Sequence, residues 1–202
     1  GRGAKCSLLF NENAGRIAID STKYKIGPVA LEGNCKFVTH HRGSCTNFDG
    51  TTACKLVLGN YTALNLQASE MSISCWVYFH SVGNYRYIVS DYNAAGTNAI
   101  FALQLTNTNK FTFFWVNAGT QAPNPLTAAS IMSAQSGIWY HVVATRSGST
   151  GTWRSNIYVN GKYENSATTG TNPNTGGRAT IGQPGDYVSA SLAMNGMVEN
   201  VI

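Results

Sequence analysis

Apolar and polar residues alternate along much of the chain, which is the pattern of a β-strand with one buried face. The alternation is sharpest in residues 71–79, MSISCWVYF, and it recurs in residues 139–146, WYHVVATR. Asn160-Gly161 follows a third β-rich run, and this dipeptide favours the tight turn of a hairpin because both of its residues accept positive φ. Residues 137–163 are therefore predicted to form three adjacent antiparallel strands.

The rest of the sequence predicts further strands and no helix. Apolar runs occupy residues 85–91, 99–105 and 110–116, and loops rich in Gly, Asn, Pro and Thr separate the runs. About ten to thirteen short strands with turns between them are typical of an all-β fold in which two antiparallel sheets pack as a β-sandwich.

Several segments also carry short motifs in a fixed order. They are Asn47-Phe48-Asp49-Gly50, WYHVVAT at 139–145, IYVNG at 157–161 and Ile181-Gly182. In this order they resemble the laminin G-like, or concanavalin A-like lectin and glucanase, jelly rolls, where W-x-H-V-A-x-T, I/L-Y-V-D/N-G and I-G follow one another. The resemblance covers roughly residues 7–202. Residues 28–45 fit the family less well and are predicted to be a loop or an insertion. It implies one jelly-roll domain over residues 1–202, with the closing strand cut short.

Charge limits the class of partner. The formal net charge is +5, and eight of the fourteen Lys and Arg residues lie in residues 1–55, against four acidic residues there. These basic residues are spaced singly, without the run or stripe that would follow a nucleic-acid backbone. Nucleic acid is therefore not a predicted partner. No stretch approaches the roughly 18 consecutive apolar residues of a membrane span.

The five cysteines all lie in the first 75 residues, and an odd number leaves at least one of them unpaired. Cys35 and Cys45 bracket a His-His-Arg-Gly loop and are predicted to form a disulfide. Such a bond indicates an oxidising compartment, so we expect an extracellular, secreted or virion-surface protein. Cys75 lies within the alternating run at 71–79 and is predicted to be a buried free thiol.

An enzymatic function has to be considered because some relatives of the resembled fold hydrolyse polysaccharides. That reaction needs two carboxylates facing each other across the scissile bond. The nine acidic residues never occur as E-x-D, D-x-E or E-x-x-E, so an enzyme is not predicted. His141 lies within a strand, where packing or a bond to a neighbouring strand is the expected role.

Calcium is the one cofactor for which the resemblance offers candidates, because many laminin G-like domains hold it at a sheet edge with oxygen ligands. The candidate ligands are Asp49 in the F-D-G turn, Asp91 after the run that begins at residue 85, and Glu199 near the closing strand. For Asp49 the alternative is structural, since an Asp in a turn commonly bonds its own backbone.

Aromatic and amide side chains in predicted loops are the candidates for ligand binding. An aromatic ring stacks on the apolar face of a sugar, and an amide bonds the hydroxyls. The residues chosen on this ground are Tyr92, Asn93, Trp153 and Tyr187. Trp115 and Trp139 lie in predicted strands and are expected to belong to the core.

The resemblance implies a non-catalytic carbohydrate-binding or adhesion module that binds a glycan or another surface ligand through loops at one rim or through the concave sheet. The alternative is a structural or surface subunit of a larger assembly, such as a viral capsid, tail or extracellular filament, whose partners are neighbouring subunits. Low charge, many amides and an unpaired cysteine are compatible with that alternative. A glycoside hydrolase is a third interpretation, which the missing carboxylate pair disfavours.

Overall fold

The computed structural model describes residues 3–12, 14–24, 26–40, 43–59, 69–122, 129–187 and 189–202. In these ranges the regular structure is β, apart from a short 3-10 helix at Ala190–Leu192. The strands are β1 (Ile17–Ile19), β2 (Pro28–Glu32), β3 (Lys36–His40), β4 (Gly43–Asp49), β5 (Lys55–Gly59), β6 (Met71–Phe79), β7 (Arg86–Tyr92), β8 (Ala99–Leu105), β9 (Phe111–Asn117), β10 (Thr120–Ala122), β11 (Trp139–Ser149), β12 (Thr152–Val159), β13 (Lys162–Thr169), β14 (Ala179–Ile181) and β15 (Asn195–Glu199).

The strands form two antiparallel sheets. The eight-stranded sheet has the order β1-β2-β5-β14-β7-β8-β9-β10, and the seven-stranded sheet has the order β13-β12-β11-β6-β15-β4-β3. The predicted all-β fold with two sheets is confirmed. Strands β11, β12 and β13 are neighbours, as the alternation and the Asn160-Gly161 turn predicted.

The core lies between the two sheets, because alternation sends every second side chain of a strand inward. On β6 the inward residues are Ile73, Cys75, Val77 and Phe79, and they join one apolar cluster with side chains of both sheets. Full burial of a side chain of this size contributes about 1.5–3 kcal/mol to stability. The intervening residues of β6 point to the opposite, outer side of the seven-stranded sheet.

Strands β7, β8 and β9 are instead buried on both faces. Their outer side carries a second apolar cluster that includes Tyr87, Tyr92 and Phe114, and Leu192 of the 3-10 helix packs against this cluster. The outer surface of the eight-stranded sheet is therefore closed at these strands.

The prediction of a loop or insertion at residues 28–45 is wrong. This range contains β2, β3 and the start of β4. Strands β2 and β3 are five residues long and flank a turn at Gly33 and Asn34, and β3 is an edge strand with no fully buried residue. A short edge strand accepts polar and apolar residues alike, so its sequence can depart from the family's pattern while it still forms a strand.

The predicted disulfide between Cys35 and Cys45 is also wrong. Cys35 bonds to Cys54, with the two Cα atoms 5.0 Å apart. Cys45 is a buried free thiol on β4, and its Sγ lies 3.6 Å from Met197 Sδ of β15. Cys75 is free and buried, as predicted, and burial raises the pKa of its thiol to about 12. In the described part of the chain, no helix has the length and apolar character needed to cross a membrane.

Candidate ligand-binding face

Tyr92, Asn93 and Tyr187, which were chosen from the sequence, lie close together. Tyr92 is the last residue of β7 rather than a loop residue, and it is 5% exposed. Its hydroxyl accepts a hydrogen bond from Tyr87 at 3.2 Å, and its ring lies 6.4 Å from that of Tyr187. Asn93 Oδ1 accepts hydrogen bonds from the backbone amides of Thr97 and Asn98, so this side chain closes its own turn. Of the aromatic residues here, Tyr187 is the exposed one.

Trp153 is 1% exposed and lies in β12, so its interpretation as an exposed loop residue is wrong. Its Nε1 donates a hydrogen bond to Asn172 Oδ1 at 2.9 Å. Trp115 of β9 lies nearby, and the Arg146 guanidinium lies 5.3 Å from the ring of each tryptophan. The parity of β12 places Trp153 on the same side as Ile157, which is a core residue.

Arg146 holds this buried group together. Its Nε and Nη2 donate to the carbonyl of Ser69 at 3.0 and 2.9 Å, and its Nη1 donates to the carbonyl of Ile100 at 2.7 Å. Burial lowers the pKa of Arg146 to about 10, against the effect of the Asp91 carboxylate. A cation enclosed by two indole rings and bonded to two carbonyls is a structural element of the fold.

Asp91, a candidate calcium ligand, belongs to the same buried group. Its Oδ1 accepts hydrogen bonds from the backbone amides of Ile100 at 2.6 Å and Phe101 at 3.0 Å. Burial raises the pKa of Asp91 to about 8, although these two amides and the charge of Arg146 lower it. The carboxylate therefore faces inward.

Asp49 and Glu199, the other candidate calcium ligands, lie elsewhere. Asp49 Oδ1 accepts hydrogen bonds from the amide and the hydroxyl of Thr51 at 2.9 and 2.7 Å, which is the turn-bonding alternative. Burial acts to raise the pKa of Asp49, but these bonds and one from Asn34 lower it below its usual value. Glu199 lies on β15, opposite Trp76 of β6. The three carboxylates do not converge, and among the described residues no three His, Cys, Asp or Glu side chains form a metal-binding group.

A different set of aromatic side chains gathers on the outer side of the seven-stranded sheet. Trp76 and Tyr78 are the half-buried, outward residues of β6, and Trp139 and His141 have the same position on β11. The register places Trp139 opposite Tyr78 and His141 opposite Trp76. The ring centroids are 5.6 Å apart in the first pair and 5.0 Å apart in the second, where the rings are stacked.

Two further histidines complete this surface. His40 belongs to β3, which lies four strand intervals from β11, or about 19 Å in a flat sheet. Nevertheless the His40 ring lies 5.3 Å from Trp139, and Trp139 Nε1 donates to His40 Nδ1 at 3.0 Å. The sheet is therefore concave on this side. His80 contacts the Tyr78 ring at 5.5 Å, and its Nε2 lies 2.7 Å from Asn47 Oδ1.

We name this surface the aromatic face and define it by His40, Trp76, Tyr78, His80, Trp139 and His141. Polar groups lie at its edges: Ser74 Oγ is 2.9 Å from His141 Nε2, and Glu199 is opposite Trp76. A half-buried ring offers an apolar surface, while hydroxyl, imidazole and amide groups form hydrogen bonds. This combination is suited to holding a small molecule that has both apolar and polar sides.

The sequence interpretation treated Trp139 as core and His141 as a packing residue, so it missed this face. One signal was present: in both alternating runs, the side opposite the core carries two neighbouring large ring side chains, Trp76 and Tyr78 in one run and Trp139 and His141 in the other, beside the Ser and Thr that are common on a solvated face. The pairing of the two runs, 65 positions apart at Trp76 and His141, was not visible in the sequence.

Comparison with known proteins defines the family. Residues 49–201 match the model of the concanavalin A-like lectin/glucanases superfamily. The chain belongs to this family, which confirms the resemblance found in its motifs. A search of curated proteins finds no match.

Solved structures share the fold. Domain 4 of AbnA, a GH43 extracellular arabinanase from Geobacillus stearothermophilus, in complex with arabinotriose, is similar with a TM-score of 0.69 and 16% identity, over 98% of this chain and 89% of that one. The binding domain of Paraclostridial Mosquitocidal Protein 1 gives 0.72 and 10%, over 97% of this chain and 48% of that one. Trypanosoma rangeli sialidase, in complex with the inhibitor DANA, gives 0.64 and 15%, over 98% and 30%. At these identities the likeness concerns the fold alone.

Proposed function

We propose that this protein is a non-catalytic carbohydrate-binding module and that the aromatic face holds the glycan. The observation that carries the proposal is the pair of ring contacts, Tyr78 with Trp139 and Trp76 with His141, on the concave outer side of a sheet. Half-buried indole and phenol rings stack on the apolar faces of sugars. The imidazole and amide groups beside them bond the hydroxyls.

Two further observations support binding without catalysis. No acidic residues alternate in the sequence as the carboxylate pair of a glycosidase does. Asp91 is directed into hydrogen bonds with the amides of Ile100 and Phe101, away from any reacting group. The fold is also that of an arabinanase domain in complex with arabinotriose, which supports a sugar as the kind of ligand.

We further place the protein outside the cytosol. The Cys35–Cys54 disulfide supports this placement, because disulfides form and persist in oxidising compartments.

A subunit of a larger assembly is the second candidate. It is favoured by β1, an edge strand of the eight-stranded sheet whose Ile17 and Ile19 are 49% and 52% exposed. Exposed apolar residues on an edge strand suit contact with a neighbouring subunit. This candidate requires a stable oligomer, which light scattering would detect.

The test is a glycan array probed with the wild-type protein and with Trp76→Ala and Trp139→Ala. We expect the wild type to be retained and each variant to bind at least about tenfold more weakly, a loss of roughly 1.4 kcal/mol. Tyr85→Ala is the matched control, since Tyr85 is an exposed aromatic residue next to the other sheet. Circular dichroism confirms that the variants are folded.

A wild-type protein that binds no glycan on the array, or Trp variants that bind as well as the control, would overturn the proposal. Repeating the assay with calcium and with a chelator tests the predicted cofactor at Asp49, Asp91 or Glu199. Retention that disappears in the chelator would support calcium.

A further inference from the structure

The aromatic face continues onto the two neighbouring strands. Tyr158 of β12 is half-buried, points outward and lies opposite Val143 of β11. Tyr163 of β13 lies opposite Tyr158, and the ring centroids are 5.7 Å apart. Tyr163 is 54% exposed although it sits in a sheet. We call these two residues the tyrosine pair.

The tyrosine pair continues the two ring pairs of β6 and β11. Along β11 the outward residues are Trp139, His141 and Val143; Tyr78 and Trp76 of β6 lie opposite the first two, and Tyr158 of β12 lies opposite the third. Two residues of a strand advance about 7 Å, so successive ring pairs follow one another at that interval along the strands. The third pair is also displaced sideways, from β6 and β11 to β12 and β13. Together the three pairs form a diagonal track. It extends about 13 Å along the strands and about 10 Å across them, so its length is about 16 Å.

The length of this track indicates the size of its ligand. One sugar ring is comparable in size with one aromatic ring, so a single sugar covers one ring pair and leaves the others bare. A linear chain of three or more sugar units covers all of them. Branched glycans and single sugars leave part of the track in water.

We propose that the aromatic face and the tyrosine pair together bind a linear oligosaccharide of at least three sugar units, with the tyrosine pair holding the unit farthest from His40. This inference rests on the proposed function, because it extends the same surface.

The experiment uses oligosaccharide ladders, from disaccharide to hexasaccharide, of arabinose, xylose, glucose in the cello series, and mannose, measured by isothermal titration calorimetry. For the ladder that binds, we expect the affinity of the wild type to rise at least about tenfold from disaccharide to hexasaccharide. Tyr163→Ala is expected to lose about tenfold in affinity for the hexasaccharide and to keep the wild-type affinity for the disaccharide. Trp139→Ala loses affinity at both lengths, and Tyr85→Ala at neither.

The outcomes separate this inference from the function on which it rests. Equal wild-type affinity for disaccharide and hexasaccharide overturns the extended track and leaves glycan binding intact, as does a Tyr163→Ala variant that binds the hexasaccharide normally. Failure of the wild type to bind any glycan overturns both proposals.

Discussion

The four tryptophans of this chain form two pairs in opposite surroundings. Trp115 and Trp153 are 0% and 1% exposed, enclose Arg146 and donate their indole N–H groups to Thr171 and Asn172. Trp76 and Trp139 lie half-buried on the aromatic face, in contact with His141 and His40. We call them the buried pair and the outer pair. The same type of side chain therefore has two uses in one fold.

The two pairs differ in how much of their ring surface is accessible to solvent. In the buried pair the ring faces are covered by the cation and the core, and the indole N–H groups are satisfied within the chain. This pair contributes to folding, where a desolvated cation–π contact stabilises by about 2 kcal/mol. The outer pair keeps part of its apolar surface in water, and covering that surface with a ligand is favourable. Stability and binding should thus respond to different tryptophans.

Arg146→Met, which changes the cation held by the buried pair, is expected to lower the free energy of unfolding more than any substitution of a single tryptophan. It removes the cation between Trp115 and Trp153 and leaves the carbonyls of Ser69 and Ile100 without their donor. The lost cation–π contacts and the buried carbonyls left unsatisfied together cost about 3–5 kcal/mol. Urea denaturation measures the loss, and Arg154→Met, on the exposed side of β12, should stay within about 0.5 kcal/mol of the wild type. An Arg146→Met variant as stable as this control would contradict the structural role of the buried pair.

Replacing one tryptophan of each pair by Phe is expected to lower the free energy of unfolding by a smaller amount, and by different amounts in the two pairs. Trp153→Phe deletes the donor to Asn172 Oδ1 inside the protein and is expected to cost about 1–3 kcal/mol of unfolding free energy. Trp139→Phe deletes a donor to His40 on a half-exposed surface, so a loss of about 0.5 kcal/mol or less is expected. Equal losses in the two variants would remove the distinction between the pairs.

The smallest expected difference between the two pairs is in the fraction of tryptophan fluorescence that acrylamide quenches. Acrylamide reaches exposed indoles more readily than buried ones, so most of the quenched emission should come from the outer pair. Trp139→Phe should lower the quenched fraction, and Trp153→Phe should raise it, because it removes an inaccessible emitter. A quenched fraction that falls in Trp153→Phe would show that the buried pair is open to solvent.

Much of the fold could be predicted from the sequence, because strand alternation is a local property. Residues 71–79 and 139–146 carry their inward and outward sides in their own order, and the structure confirms both strands. Trp153 had the same parity as Ile157, but Ser155 lies between them and obscured the pattern. Tyr92 is buried in an apolar cluster against which Leu192 packs, a hundred positions away, and no local signal reveals such a contact.

The candidate site could be predicted only in part, since it depends on contacts between distant segments. Alternation placed Trp76 and Tyr78 on one side of β6, but the register that faces them with Trp139 and His141 is set by the whole sheet. The contact of His40 with Trp139 further requires the concave curvature of the sheet. The disulfide was mispredicted for the same reason, because Cys54 and Cys35 are brought together by the fold rather than by a short loop.

The most direct test observes all four tryptophans in one experiment. The protein is labelled with ¹⁵N, each indole Nε1–H signal is assigned with single Trp→Phe variants, and the hexasaccharides of the four ladders are titrated in. We expect the signals of Trp76 and Trp139 to shift with the hexasaccharide that binds, while those of Trp115 and Trp153 stay in place. Two results would contradict the assignment of the aromatic face as the binding surface. One is a shift of the Trp115 and Trp153 signals while those of the outer pair stay unchanged, and the other is a glycan that binds the protein without shifting any indole signal.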